Sequence, residues 1–226
     1  MSTVTTSQAA AKLKVSPEAV RKMVRTGRLM SAGHAGRTLL IDQASLQRVA
    51  LGGRHTGRLW APRTAWAALA LLSGQKAPWL GSSEKYRLRK SLQSLAPEDV
   101  YLLSRNRAVV RRYRATPSAS LLVLQRVVPT AGSAMRDASM SARFGLASGP
   151  SDADGYVMSG EAEEVAAAYG MVEDPAGDVV LRETGFAEPF TADIAPTAAV
   201  AVDLMDSLAA RERAAGARVL SEMLRA

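Results

Sequence analysis

Cysteine is absent from this chain of 226 residues. That excludes disulfides, thiolate nucleophiles and any zinc site that needs cysteine ligands. Aromatic residues contribute only 5%, although hydrophobic residues of all kinds reach 47% and alanine is abundant. Such cores are helix-rich and packed from small and branched side chains. Histidine occurs only as His34 and His55, in separate glycine-rich segments, which argues against a metal or acid–base centre. No apolar run approaches the ~18 residues expected of a membrane span. The start, Met1-Ser-Thr-Val-Thr-Thr-Ser7, has neither the basic cluster nor the apolar stretch of a signal peptide. A soluble, cytoplasmic protein is expected.

Negative charge is scarce in the first part of the chain. Residues 1–126 hold 22 Lys/Arg against 5 Asp/Glu, a net of +17, whereas residues 127–226 hold 7 against 16, a net of −9. Together they give the +8 of the whole chain. This polarity points to a basic half for nucleic acid and an acidic half with another task. The alternative is that the acidic residues only keep the second half in solution.

Residues 3–49 carry the strongest pattern. Thr6-Ser-Gln-Ala-Ala-Ala-Lys-Leu13 predicts a short helix, and Lys14-Val15-Ser16 a tight turn. Ser16 is placed to cap a second helix that begins at Pro17 and runs to Thr26. Along it Val20, Met23 and Val24 fall on one side, while Arg21, Lys22 and Arg25 fall largely on the other. Gly27 ends the helix. Gly33-His-Ala-Gly36-Arg37 and Thr38-Leu-Leu-Ile41 read as a hairpin or wing, and Asp42 caps a third helix reaching about Ala50, with Leu46 and Val49 inward. These are the parts a major-groove reader needs.

The stretch resembles the MerR/excisionase-type helix-turn-helix. The likeness rests on Ser7-Gln-Ala-Ala-Ala-Lys-Leu13, Val15-Ser-Pro-Glu-Ala-Val-Arg-Lys-Met23, Gly27-Arg-Leu29 and Gly36-Arg-Thr-Leu-Leu-Ile-Asp42. It implies that the second helix enters the major groove, with Ser16, Glu18, Arg21, Lys22 and Arg25 facing DNA and Arg37 on the wing. Arg28 joins them as a DNA-binding candidate. Gly52-Gly-Arg-His-Thr-Gly57 reads as a hinge, whose Arg54 and the following Arg58 either follow the phosphate backbone or are solvated linker charge.

Three units are expected: residues 1–52 as the DNA-binding domain, 59–128 as a basic, winged-helix-like α/β module, and 129–226 as an acidic α/β region ending in two helices. The fold class is mixed α/β and helix-rich. In the second unit one helix begins at Pro62, the next, capped by Ser82 or Ser83, runs from Glu84 to about Leu95, and a third opens at Pro97. Arg107-Ala-Val-Val-Arg-Arg-Tyr-Arg114 reads as a strand, and its Arg107, Arg111, Arg112 and Arg114 either face nucleic acid or protect an exposed edge. Two helices close the chain. Gly216, in the middle of the last one, marks the close approach of another backbone.

From Leu59 onward the layout resembles the AbiEi-type antitoxins of type IV toxin–antitoxin systems. The carrying residues are Arg107 to Ser118, Gln125-Arg-Val-Val128, Val179-Val-Leu-Arg182 and Asp203 to Gly216. The resemblance implies an autorepressing antitoxin that binds its own promoter and counters a nucleotidyltransferase-like toxin. The acidic half is the expected site for that partner, with Asp203, Asp206 and Glu212 as contacts. An excisionase-like or stand-alone repressor without a toxin is the other reading. Catalysis is not expected. Gly132-Ser133 and Asp152-Ala-Asp154 are too far apart for a nucleotidyltransferase metal site, and the latter reads as a turn. No metal or cofactor is implied.

Overall fold

The computed structural model describes residues 3–25, 29–51, 58–147, 153–190 and 194–226. Gly27, Arg28, the hinge with Arg54 and His55, and Asp152 lie outside the described residues.

The first strand was not expected from sequence. β1 (Thr3–Thr5) leads directly into α1 (Thr6–Leu13). Thr5 makes the junction: its hydroxyl accepts from the Gln8 N–H at 3.2 Å, and Gln8 Oε1 accepts the Thr5 N–H at 2.8 Å. α1 ends at Lys14, in the left-handed region with φ 52°. Lys14 and Val15 return their N–H groups to the Ala11 and Ala10 carbonyls at 3.2 and 3.0 Å. α2 (Pro17–Arg25) then starts on Ser16, whose hydroxyl accepts from the Ala19 N–H at 3.2 Å.

β2 (Ser31–Ala35) and β3 (Thr38–Asp42) form the expected hairpin, turning through Gly36 at φ +59°. β3 is the middle strand of an antiparallel sheet ordered β1-β3-β2. α3 (Gln43–Leu51) follows, and Asp42 Oδ2 accepts the Ser45 N–H at 2.6 Å. Ser45 passes the tie on by accepting the Met30 N–H at 2.9 Å. Ala9, Ala10, Val20, Leu29, Ile41 and Leu46 form a small separate core for this unit, with Met23, Val24 and Val49 packed against it.

After residues 52–57, α4 (Pro62–Leu72), α5 (Ser82–Leu92) and α6 (Pro97–Leu103) precede a 3₁₀ turn at Ser104–Arg107 and β4 (Val109–Arg114). α7 (Pro117–Val123), β5 (Val128–Pro129), a 3₁₀ turn at Ala131–Arg136 and α8 (Ala138–Phe144) come next. β6 (Asp154–Met158), α9 (Glu161–Ala168), β7 (Val172–Glu173), β8 (Val179–Thr184), α10 (Thr197–Leu204) and α11 (Ala210–Arg225) complete the order. The five strands form one sheet, β5-β6-β8-β4-β7, in which β6 and β8 are parallel and joined through α9.

Alternation along the strands divides two cores. Tyr113, Val157, Val179 and Leu181 face α7 and α9, where Val123, Ala162 and Val165 meet them. On the other face Tyr156 joins the larger core of α4, α10 and α11, where Trp66, Tyr156 and Phe190 pack ring against ring at centroid separations of 5.0–5.2 Å. The Trp66 indole N–H donates to the Arg107 carbonyl and to Thr184 Oγ1, each at 3.0 Å.

This arrangement corrects two expectations. Residues 59–128 and 129–226 are not separate units, because β5 itself spans residues 128 and 129 and the sheet interleaves strands from both sides. Nor is β4 a free basic face. It pairs with β8 along Val109–Tyr113 and with β7 at Tyr113 and Arg114. It leaves Val109, Val110 and Arg114 exposed, and Arg107, in the turn before it, is buried.

Candidate nucleic-acid interface

The first face to consider is the outer side of α2. At 100° per residue, Glu18, Arg21, Lys22 and Arg25 follow the i, i+3, i+4, i+7 spacing that places side chains on one stripe. All four are exposed, while Val20 on the opposite side is fully buried. The helix therefore holds its polar stripe outward because its apolar stripe is fixed against α1 and β3. Glu18 and Arg21 pair at 3.2 Å with side chains 76% and 57% exposed, an arrangement a stronger anion can displace. The Glu18 carboxyl is held below its ordinary range, first by its own backbone N–H and, against the opposing effect of desolvation, also by Ser16 and Arg21.

Ser16 is exposed at the entrance of α2, where capping occupies its hydroxyl. Arg37 is exposed at the tip of the β2–β3 hairpin. Arg58 is exposed and belongs to no helix or strand. The stripe, the α2 entrance and the wing tip are the parts the sequence led one to expect; Arg28 and Arg54 fall outside the described residues.

Of the arginines that could have extended this interface, Arg107, Arg111 and Arg114 make ion pairs within the fold, with Arg114 still 63% exposed. Arg107 is buried; its Nε donates to the Tyr156 hydroxyl at 3.0 Å, its Nη1 to the Ser104 carbonyl at 3.1 Å, and its Nη2 pairs with Asp203. Arg111 pairs with Glu183 at 2.9 Å and with Glu163 at 3.3 Å, and Arg114 pairs with Asp174. Arg112 lines a cleft together with Asp206 and Glu212. Three arginines of the basic half are thus matched by carboxylates of the acidic half inside one folded unit.

Asp203 is the hub of that complementarity and is only 1% exposed. Its Oδ2 accepts from Thr130 at 2.6 Å and from the Tyr156 hydroxyl at 2.7 Å. Arg182 makes a bidentate pair with Asp154 at 2.7 and 2.8 Å. Its Nη1 lies 3.0 Å from Asp203 Oδ1 and 3.6 Å from Asp206 Oδ2, paired by charge without the angle of a hydrogen bond. Asp206 in turn accepts the Tyr101 hydroxyl at 2.7 Å.

Burial corrects the assignment of Asp203 as a partner contact, since no surface of its carboxylate faces outward. Asp206 and Glu212 are partly exposed and line a cleft of about 690 Å³, behind which the buried Asp203 and Arg182 pair. No group of His, Asp and Glu residues that could hold a metal ion occurs among the described residues. None of the described helices is long and apolar enough to cross a membrane.

No curated protein and no solved structure matches the chain. Residues 3–54, by contrast, match the family model of a helix-turn-helix domain, the domain whose parts are the capped α1, the basic α2, the β2–β3 wing and α3.

Proposed function

We propose that this chain is a transcriptional regulator that reads duplex DNA with α2 in the major groove and Arg37 of the wing on the neighbouring backbone. One observation carries the reading: Glu18, Arg21, Lys22 and Arg25 form an exposed stripe on a helix whose other side is locked into the core of a helix-turn-helix domain. A bidentate contact between an arginine and guanine is worth roughly 1–3 kcal/mol of discrimination. Footprinting and competition on the promoter of the chain's own gene test the proposal. Arg21→Ala should weaken binding and relax preference at one or two base pairs, and Arg37→Ala should weaken it for all sequences alike. Unchanged binding in both variants refutes it.

Within this reading, the C-terminal unit gives the chain a second role as an antitoxin of the AbiEi type. It represses its own operon and counters a nucleotidyltransferase-like toxin, with no catalysis of its own. The support is the sequence likeness from Leu59 onward. Asp206 and Glu212 on the cleft wall are the contacts left for a basic partner after Asp203 is assigned to the core. Expressed with a toxin encoded beside it, a full-length Arg21→Ala, Lys22→Ala, Arg25→Ala variant should lose repression and still rescue growth. If no neighbouring gene is toxic, the chain is a stand-alone or excisionase-like repressor.

A further inference from the structure

The cations of α5 are an exception to the internal pairing of the C-terminal unit. α5 buries Leu88 and Leu92 on one side. Its other side exposes Tyr86, Arg87, Arg89 and Lys90, which at 100° per residue occupy an arc of about 160° of helix surface. Among the described residues, the side chains of Arg87, Arg89 and Lys90 make no ion pair and no hydrogen bond. The one carboxylate of the helix, Glu84, is engaged elsewhere: it accepts the Gly81 N–H at 2.8 Å and pairs with Arg63 at 3.4 Å. Tyr86 is 68% exposed, and its hydroxyl is a donor of the kind that phosphate oxygens accept.

We propose that α5 is a second DNA contact, one that lies on the phosphate backbone beside the site read by α2. Three cations with no internal partner form an electrostatic footprint for a polyanion, and they contain no geometry for reading bases. Alone they would bind DNA weakly. Tethered to a domain already seated on the duplex, they meet phosphates at a high effective concentration. This inference rests on the DNA-binding reading of the first domain, and it assigns the second contact to α5 instead of β4, for which nucleic acid was one of two readings.

The test uses the full-length protein and a duplex from its own promoter, with affinity measured across a salt series. Each phosphate contact adds about 0.9 to the slope of log affinity against log salt concentration. An Arg87→Ala, Arg89→Ala, Lys90→Ala variant should have a slope shallower by about 2–3, with its preference for the promoter over a scrambled duplex intact. Lysine at both arginine positions should keep the wild-type slope. All three side chains are exposed, so circular dichroism should show an unchanged fold. A slope equal to wild type overturns the assignment and leaves α5 to an acidic protein. If the wild-type chain itself fails to bind the duplex, the reading of the first domain falls, and α5 falls with it.

Discussion

Gly216 packs against the carbonyl oxygen of Ala201 where α11 crosses α10. A Cβ at this position would overlap that oxygen and would meet Leu204 Cβ at 3.1 Å and Met205 Cγ at 3.2 Å. The close approach expected from a glycine in mid-helix is therefore made to the chain's own backbone. In an isolated helix, Gly216→Ala would gain roughly 0.5–1 kcal/mol. In the folded protein the crossing decides the sign, because overpacking of this kind costs about 1–3 kcal/mol. Urea unfolding should show a lower midpoint at an unchanged denaturant slope. A higher midpoint would mean that the two helices do not cross at this glycine.

Removing the charge of Asp203 should be among the most damaging single changes to the C-terminal unit. Asp203 faces both Arg107 and Arg182, and among the described residues Arg107 pairs with no other carboxylate. Breaking a buried pair by removing one partner typically costs about 3–5 kcal/mol, because a charge is left unpaired in the core. Asp203→Asn should lower the urea midpoint steeply. Adding Arg107→Met should recover part of the loss, as the guanidinium no longer needs a counter-charge. If the double variant is no more stable than the single one, the pair is not coupled.

The bond between Tyr101 and Asp206 predicts opposite behaviour at the two ends of the pH scale. Burial, reinforced by the Asp206 charge, pushes the Tyr101 phenol up to about 12. A raised value in the folded state means that stability is intact below the ordinary tyrosine value of about 10 and falls as pH rises above it. For Asp206, burial acts upward but is outweighed by Arg182 and the Tyr101 hydrogen bond, with Arg107 and Arg112, which hold the carboxyl below its usual range. Its contribution is present above a pH of about 4 and is lost as pH falls through the depressed value. Unfolding midpoints at pH 9 and 11.5 should converge in Tyr101→Phe relative to wild type. Tyr156 and Tyr113, both also raised first by burial, keep some alkaline dependence in place.

Ser16 separates capping from DNA recognition. Its hydroxyl holds the first turn of α2 through the Ala19 N–H, so Ser16→Ala should cost about 0.5–2 kcal/mol. Aspartate caps as well as serine does, yet it brings a negative charge to the face proposed to meet phosphates. Ser16→Asp should therefore keep the melting temperature of the first domain and weaken binding to the promoter. Wild-type affinity in Ser16→Asp would place the α2 entrance away from the DNA.

The helix-turn-helix could be read from sequence because its signals are local. Ser16 before Pro17, the Gly36 turn and Asp42 before α3 each act within a few residues, and the structure uses each as expected. β1 escaped notice because three residues, Thr3–Thr5, are too few to show alternation before the Thr5 cap begins. The C-terminal unit was harder for a different reason. Arg107 and Arg111 looked like a nucleic-acid surface because their carboxylates, Asp203 and Glu183, lie 96 and 72 residues further on. Charge counted along a chain cannot distinguish an interface from a core when the partners are so distant. The α5 cations stood out only after those internal pairs had been identified.

The pairing of β4 with β8 also orders events during synthesis. Val109 pairs with Glu183, so β4 has no partner on its β8 side until some 74 further residues have been made. At roughly 5–20 residues per second, that is an interval of about 4–15 seconds. The buried charge of Arg107 waits longer still, for Asp203. The helix-turn-helix, whose strands and helices pair within residues 3–51, meets no such delay. The helix-turn-helix domain can thus take shape on the ribosome while the rest of the molecule is still an open chain. A nonsense codon anywhere between β4 and α10 would release a product that can grip DNA but cannot fold the remainder.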